Sequence, residues 1–460
     1  MLKSSQCVRI LTIYTIPILL VTWCFVYFVN PNPAYQEVLR HFKDQKKLFV
    51  ADFLANEIDG DFDGSGIARL CAGRTWQPGL ILSCESPVGG LGVVKNSHLN
   101  CFRFAIEMGA ELVMPGIIRR NDDDIADLTP GNPKGTYKSK TMDYFWDYDH
   151  LNFTLATYCP QMRIHPSMNE LWNVPSVLSS IGIGLKELRV PLVKTSVIKD
   201  MTLFKKRIAE YVQEKSPLRE RRMPVRFHMA ATYFAWPTEA DSPVLRRNWG
   251  RILRSRRDAR ELAASALFGL QTRFRLRLDP RRGLGAAEEP STHAKADTFV
   301  GVHLRTEVDA AKYPPYEEQA AYYLHHLQRS GAAVAFLATG ASREHVATFR
   351  QRARDLNVTV VCKQDLLGGD ELGMLERHLS YDQRALVDYE IMLRAGLVVG
   401  TSQSSFAWNL AMRRANLYEH VGNSNSTPAA GRSKVQWQDG YTTLFGQSEA
   451  GEALQRTIWP

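Results

Sequence analysis

The sequence predicts an α/β protein: two Rossmann-type, doubly wound domains facing a cleft, preceded by one N-terminal transmembrane helix. Three observations carry this. Residues 10–29 form an apolar run without a charged side chain. Residues 80–114 read as strand, glycine-rich loop, helix and strand, and residues 298–414 alternate β-branched runs with helical segments of roughly 10–15 residues. The chain has 460 residues, 45% of hydrophobic type and 23% charged, so global disorder and low-complexity fibres are excluded.

The N-terminal run, Ile10 to Val29, spans about 30 Å at about 1.5 Å per helical residue, the thickness of a bilayer's hydrocarbon core. Lys3 and Arg9 precede it, and no Lys or Arg follows until Arg40. The positive-inside bias therefore puts residues 1–9 in the cytosol and the body in the lumen. A cleaved signal peptide would have an apolar stretch of about 7–15 residues and a small-residue cleavage site. This longer run leads instead into Asn30-Pro31-Asn32-Pro33. The expectation is a single-pass type II signal anchor holding the chain in the Golgi or endoplasmic reticulum membrane. Sequons at Asn152, Asn357 and Asn425 fit a lumenal body. Beyond Cys7 and Cys24 lie Cys71, Cys84, Cys101, Cys159 and Cys362, an odd number, so at least one is free or pairs between chains.

Residues 30–75 read as a stem. Their Asp59-Gly-Asp-Phe-Asp-Gly stretch has Leu70 where a calcium loop needs its twelfth-position Glu, so it reads as a solvated turn. In the N-terminal domain, 76–240, Leu80–Cys84 is a buried strand, Val88–Gly92 a loop, Asn96–Met108 a helix and Glu111–Met114 the next strand. The Arg-rich connector follows at 241–295, within a basic stretch running from Arg219 to Arg282. Helical spacing from Trp249 to Leu270 suggests an amphipathic helix with a solvated basic face. The lumenal placement argues against a nucleic-acid surface, and leaves open an acidic partner or a role near a nucleotide. In the C-terminal domain, 296–460, strands are expected at 298–304, 333–337, 358–362 and 397–400. Helices are expected at 316–329, 342–356, 382–394 and 405–414.

Chemistry concentrates in three clusters. Gly89-Gly90-Leu91-Gly92 lies between a strand and a helix, where glycines leave room for a phosphate at the helix N-terminus. Gly301-Val302-His303-Leu304-Arg305 ends a strand, and period 2 sends His303 and Arg305 to one face. Arg305 can grip a phosphate with its fork, or pair with a carboxylate at the strand end. Ser404 and Ser405 fall at a helix N-cap, followed by Phe406, which either stacks on a base or packs in the core. The net charge of +9 suits an anionic ligand without naming one.

Together these clusters resemble the GDP-fucose-dependent protein O-fucosyltransferases and their core-fucosylating relatives. The glycine loop running into Glu111-Leu-Val-Met-Pro is similar to that family's first motif. Val-Gly-Val-His303-Leu-Arg305 is similar to its H-x-R motif, and Ala385-Leu-Val-Asp388-Tyr-Glu-Ile with Val399-Gly-Thr-Ser-Gln-Ser404-Ser405-Phe406 to its third. The resemblance covers about 90 residues and is silent from about 120 to 295. It implies a GT-B-like architecture and inverting transfer from a nucleotide sugar, GDP-fucose, to a protein or glycan acceptor. By the same resemblance, Arg305 stabilises the leaving diphosphate, while Gly89, Gly90, His303, Asp309, Asp388, Ser404, Ser405 and Phe406 hold the donor. No metal cofactor and no nucleic acid are implied.

The chain departs from the family at Val93, near which relatives commonly carry Asn. Two alternatives to the family reading stand beside it, the second motivated by Val93. One is a metal-dependent transferase that holds its nucleotide sugar through Asp122 and Asp124 of a D-x-D stretch. The other is a catalytically inactive lumenal sugar-binding relative. No G-x-S-x-G elbow supports a serine hydrolase.

Overall fold

Unbroken apolar runs, such as Leu-Ile-Leu-Ser-Cys at 80–84, are the mark of parallel strands covered on both faces. The computed structural model describes residues 33–122, 125, 139–193, 197–218, 222–230, 236–281, 297–418, 435–446 and 449–460. The expected anchor at 10–29, Asp123, Asp124 and Asn425 lie outside these. Among the described residues, no helix is long and apolar enough to cross a membrane. The chain divides into residues 1–52, described from Pro33 as part of helix α1 (Pro33–Ala55), and residues 53–460. All that follows concerns the second unit.

Its first sheet is built on β1 (Leu80–Cys84), whose five residues are all buried. The chain passes through the glycine loop into α2 (Leu91–Met108), stops at Gly109 in the left-handed region at φ 63°, and returns as β2 (Glu111–Val113). A Cβ on Gly109 would also strike the Thr75 carbonyl, so two constraints select glycine there. With β3 (Ile164–His165), β4 (Ile181–Ile183) and β5 (Val225–Met229) the order is β3-β2-β1-β5-β4, parallel throughout.

The second sheet contains β6 (Val300–His303), β7 (Val334–Ala338), β8 (Thr359–Val361), β9 (Leu397–Thr401), β10 (Val435–Gln438) and β11 (Thr442–Phe445). Its order is β8-β7-β6-β9-β11-β10, parallel except for the β10–β11 pair. Between the sheets in sequence lies α3 (Arg257–Phe274). Helices α4 (Tyr316–Ser330), α5 (Arg343–Arg354), α6 (Tyr381–Met392) and α7 (Ser405–Tyr418) alternate with the strands as the hydrophobic periodicity predicts. Val302, Leu304, Tyr323, Phe349 and Val399 form one buried cluster under them.

Three expectations change. Residues 53–75 are not stem: Phe53, Ile58, Ile67 and Cys71 are buried in the body. The turn at Asp59 is not solvated, because Asp59 pairs with Arg413 and lies 3.6 Å from Arg251. The connector's helix begins at Arg257 rather than Trp249, since residues 250–252 form a 3-10 turn and Ser255 bridges to Trp146. The connector's basic residues are only partly solvated. Arg251 and Arg260 are buried, and Arg260 reaches Glu57 at 3.4 Å. Disulfides join Cys71 to Cys159 and Cys84 to Cys101, leaving Cys362 as the free thiol among the described cysteines.

The end of the chain returns to the first half. Trp459 is fully buried beside Trp249, ring centroids 5.9 Å apart, and its Nε1 donates to Asn100 at 2.8 Å. A boundary at residue 296 therefore separates the sheets in sequence, while the last residues pack on the N-terminal half.

Candidate active site

Each sheet reverses its winding beside a central strand: β1 lies between β2 and β5, and β6 between β7 and β9. Ligands bind outside the carboxyl ends of strands at such switch points. Here the two switch points face one another across a cavity of about 340 Å³. From the first half it is lined by Gly89, Gly90, Leu91, Gly92, Val93 and Arg120, and the second half supplies the rest. The halves meet closely at Gly92. A Cβ there would lie 2.5 Å from the Ser405 carbonyl carbon and 2.7 Å from the Phe406 nitrogen. The first turns of α2 and α7 thus abut beside the cavity, and both helix N-termini carry partial positive charge.

All nine residues assigned to the site through the family resemblance line this one cavity: Gly89, Gly90, His303, Arg305, Asp309, Asp388, Ser404, Ser405 and Phe406. His303, the last residue of β6, is buried with Nε2 3.0 Å from Ser404 Oγ, and its ring centroid is 4.7 Å from that of Phe406. Burial pushes its pKa down to about 4, so the imidazole is neutral at pH 7. Ser404 Oγ also accepts the Ala407 N–H at 3.3 Å, the helix-start role expected of it.

Arg305 makes the carboxylate pairing that was one of the two alternatives open in the sequence, and it does so at the cavity wall. It lines the cavity, and its guanidinium is held by Glu307 on one side and Asp309 on the other, each at 2.5 Å. Burial works against its charge, but the two carboxylates outweigh that and raise its pKa. Glu307 is anchored in turn by the Gly340 N–H at 2.6 Å and the Tyr381 hydroxyl at 3.3 Å. Asp388, which also lines the cavity, accepts from Lys363 Nζ at 2.6 Å. Its second carboxylate oxygen is buried without a hydrogen-bond partner. Burial raises this carboxyl's pKa, and the nearby Lys363 only partly offsets the effect.

Six titratable lining residues went unrecognised in the sequence: Arg120, Glu307, Tyr313, Lys363, Tyr381 and Arg384. Glu307 had a usable signal, since it sits two residues beyond Arg305 on the same strand-end loop. Arg120 had none. Its neighbours Arg119, Asn121 and Asp122 make it look like part of a charged surface loop, yet its side chain is only 6% exposed. Asp122 of the D-x-D stretch accepts from the Tyr381 N–H at 2.6 Å and from Arg119 at 2.5 Å. Its expected partner Asp124 lies outside the described residues. Among those described, no group of three or more His, Cys, Asp or Glu side chains could hold a metal ion.

No family model and no curated protein matches this sequence. Solved structures do resemble it. POFUT1 in complex with GDP is similar at 13% identity and a TM-score of 0.42, over 74% of this chain and 96% of that one. POFUT1 in complex with GDP-fucose is similar at 12% identity and a TM-score of 0.42, over 81% and 99%. A mutant of Arabidopsis thaliana FUT1 in complex with GDP is similar at 11% identity and a TM-score of 0.34, over 76% and 71%.

Proposed function

We propose that this chain is an inverting glycosyltransferase of GT-B architecture that moves fucose from GDP-fucose to a protein or glycan acceptor without a catalytic metal. We place it on the lumenal side of the Golgi or endoplasmic reticulum membrane, held by residues 10–29. One observation carries the activity. Nine residues chosen from three separated stretches of sequence line a single cavity between two doubly wound sheets.

In the proposed reaction, an acceptor hydroxyl oxygen bonds to C1 of fucose as the bond from C1 to the β-phosphate oxygen breaks. The electron pair leaves with GDP, and the hydroxyl proton passes to solvent. Arg305 faces the charge that builds on the departing diphosphate. A fixed cation in a water-poor site favours that charge more than the ground state, by about 3–4 kcal/mol for one such contact. Neutral His303 and the Ser404–Phe406 turn shape the donor pocket, and the unpaired oxygen of Asp388 is a hydrogen-bond acceptor for the base or ribose.

The test is a release assay on the purified chain with a panel of nucleotide sugars, with and without a chelator, alongside Arg305→Ala. GDP-fucose should be turned over, insensitively to the chelator, and Arg305→Ala should lose about 100-fold or more. Turnover of no donor, or full activity in Arg305→Ala, would overturn the proposal. Loss of activity with the chelator would favour the metal-dependent alternative. GDP binding without turnover would favour the inactive relative.

A further inference from the structure

The first half brings six residues to the cavity, and five of them, Gly89, Gly90, Leu91, Gly92 and Val93, have no polar side chain. Arg120 is the one charged side chain that this half supplies among the described lining residues. It crosses to the second half. Its Nε and Nη2 donate to Asp382 at 3.0 and 2.5 Å, and its Nη1 donates to Asp309 at 2.9 Å. Those contacts use three of the five N–H groups of a guanidinium. Nη2 lies 3.6 Å from the point where a side chain on Gly90 would begin, so the guanidinium stands directly before the glycine loop and the start of α2.

Asp309 then sets the geometry. One of its carboxylate oxygens holds Arg305 at 2.5 Å, and the other holds Arg120 at 2.9 Å. Two arginine forks from opposite halves are thereby fixed side by side, each with N–H groups to spare. That spacing suits an anion with oxygens on two adjacent phosphorus atoms better than a single phosphate, because each fork can take its own phosphoryl group.

We propose that Arg120 is a second donor-binding cation, gripping the diphosphate from the N-terminal half while Arg305 grips it from the C-terminal half. This takes from the function proposed above only that the ligand is a nucleoside diphosphate. Arg120 supplies the polar contact that Val93 cannot make in the glycine loop. Since its fork is held by Asp309 and Asp382, diphosphate binding also ties the two halves together.

The experiment is isothermal titration of the purified chain, Arg120→Gln and Arg120→Lys with GDP, inorganic pyrophosphate and guanosine. Charge-assisted hydrogen bonds of this kind correspond to about a 10- to 100-fold change in affinity. Arg120→Gln should weaken GDP and pyrophosphate by that factor and leave guanosine within about twofold. Arg120→Lys keeps a cation beside Asp382 but loses the fork, and should show a smaller loss of the same pattern. It decides the matter if the Gln variant does not fold. If GDP and guanosine weaken in parallel, or neither changes, Arg120 has only a structural role and the proposal fails while the donor assignment stands. If pyrophosphate binds in an Arg120-dependent way and GDP binds no better, the clamp stands and the guanine assignment falls. If the wild type binds none of the three, both fall.

Discussion

Glu307 shows how the chemistry of one side chain is set by its neighbours. It is nearly buried, yet the Arg305 guanidinium outweighs burial and holds its pKa below the usual carboxylate value. Glu307→Gln keeps a group able to accept from Gly340 while removing the charge that fixes Arg305. The expected result is a turnover about 10-fold lower with little change in donor KM, since losing a charged partner corresponds to about 1.5–3 kcal/mol. An unchanged kcat would mean that Asp309 alone positions the arginine. Lys95 makes a separate point. It is buried in α2 with Nζ 3.5 Å from the Tyr389 hydroxyl, and burial pushes its pKa down to about 7. Its folded pKa lies below the unfolded value of 10.5, so the folded chain resists the charged form. The penalty is complete below pH 7 and is relieved as pH rises from 7 towards 10.5. Lys95→Met should therefore raise the melting temperature most at pH 6, with the gain shrinking by pH 10. A gain that is the same at both pH values would count against this account.

Among the elements, the strands legible in the sequence are those buried on both faces, because an apolar run is a local signal. β1 spans the residues expected, and β6 to β9 agree within two residues at each end. β5 was hidden because Arg226 and His228 alternate with buried Phe227 and Met229 inside a stretch dominated by arginine. β10 and β11 escaped because each is only four residues long, too short for a period to stand out, although Val-Gln-Trp-Gln alternates and all four residues of β11 are buried. The candidate site divides in the same way. Residues at strand ends and helix starts could be found by position, whereas Arg120 reaches the cavity only through tertiary contacts with Asp309 and Asp382. Gly92 carries a steric constraint at the site itself, because the atoms nearest to it are backbone atoms of α7 and cannot rotate away. Gly92→Ala should cost about 1–3 kcal/mol in chemical denaturation, as overpacking does, and should weaken GDP binding by separating the two helix starts. Unaltered stability would show that the halves can part at that point without cost.

At the scale of the molecule, two devices tie distant sequence together. The Cys71–Cys159 disulfide spans 88 residues and fastens the helix Ser65–Ala72 to the end of the helix Tyr148–Tyr158. Replacing both cysteines with serine should cost on the order of 4 kcal/mol, from loop-closure entropy restored to the unfolded chain, and denaturant titration would measure it. The second device is the return of the chain end. Trp459 packs on Trp249, its N–H groups reach Asn96 and Asn100, and the Pro460 carbonyl fills the space a side chain at Gly250 would need. The two sheets should therefore melt as one cooperative transition in calorimetry. Trp459→Ala should broaden or divide that transition. The same packing makes the join between the sheets mechanically redundant. A chain cut between Arg281 and Asp297 should stay together as a two-piece complex in size-exclusion chromatography, with the last two residues acting as the latch.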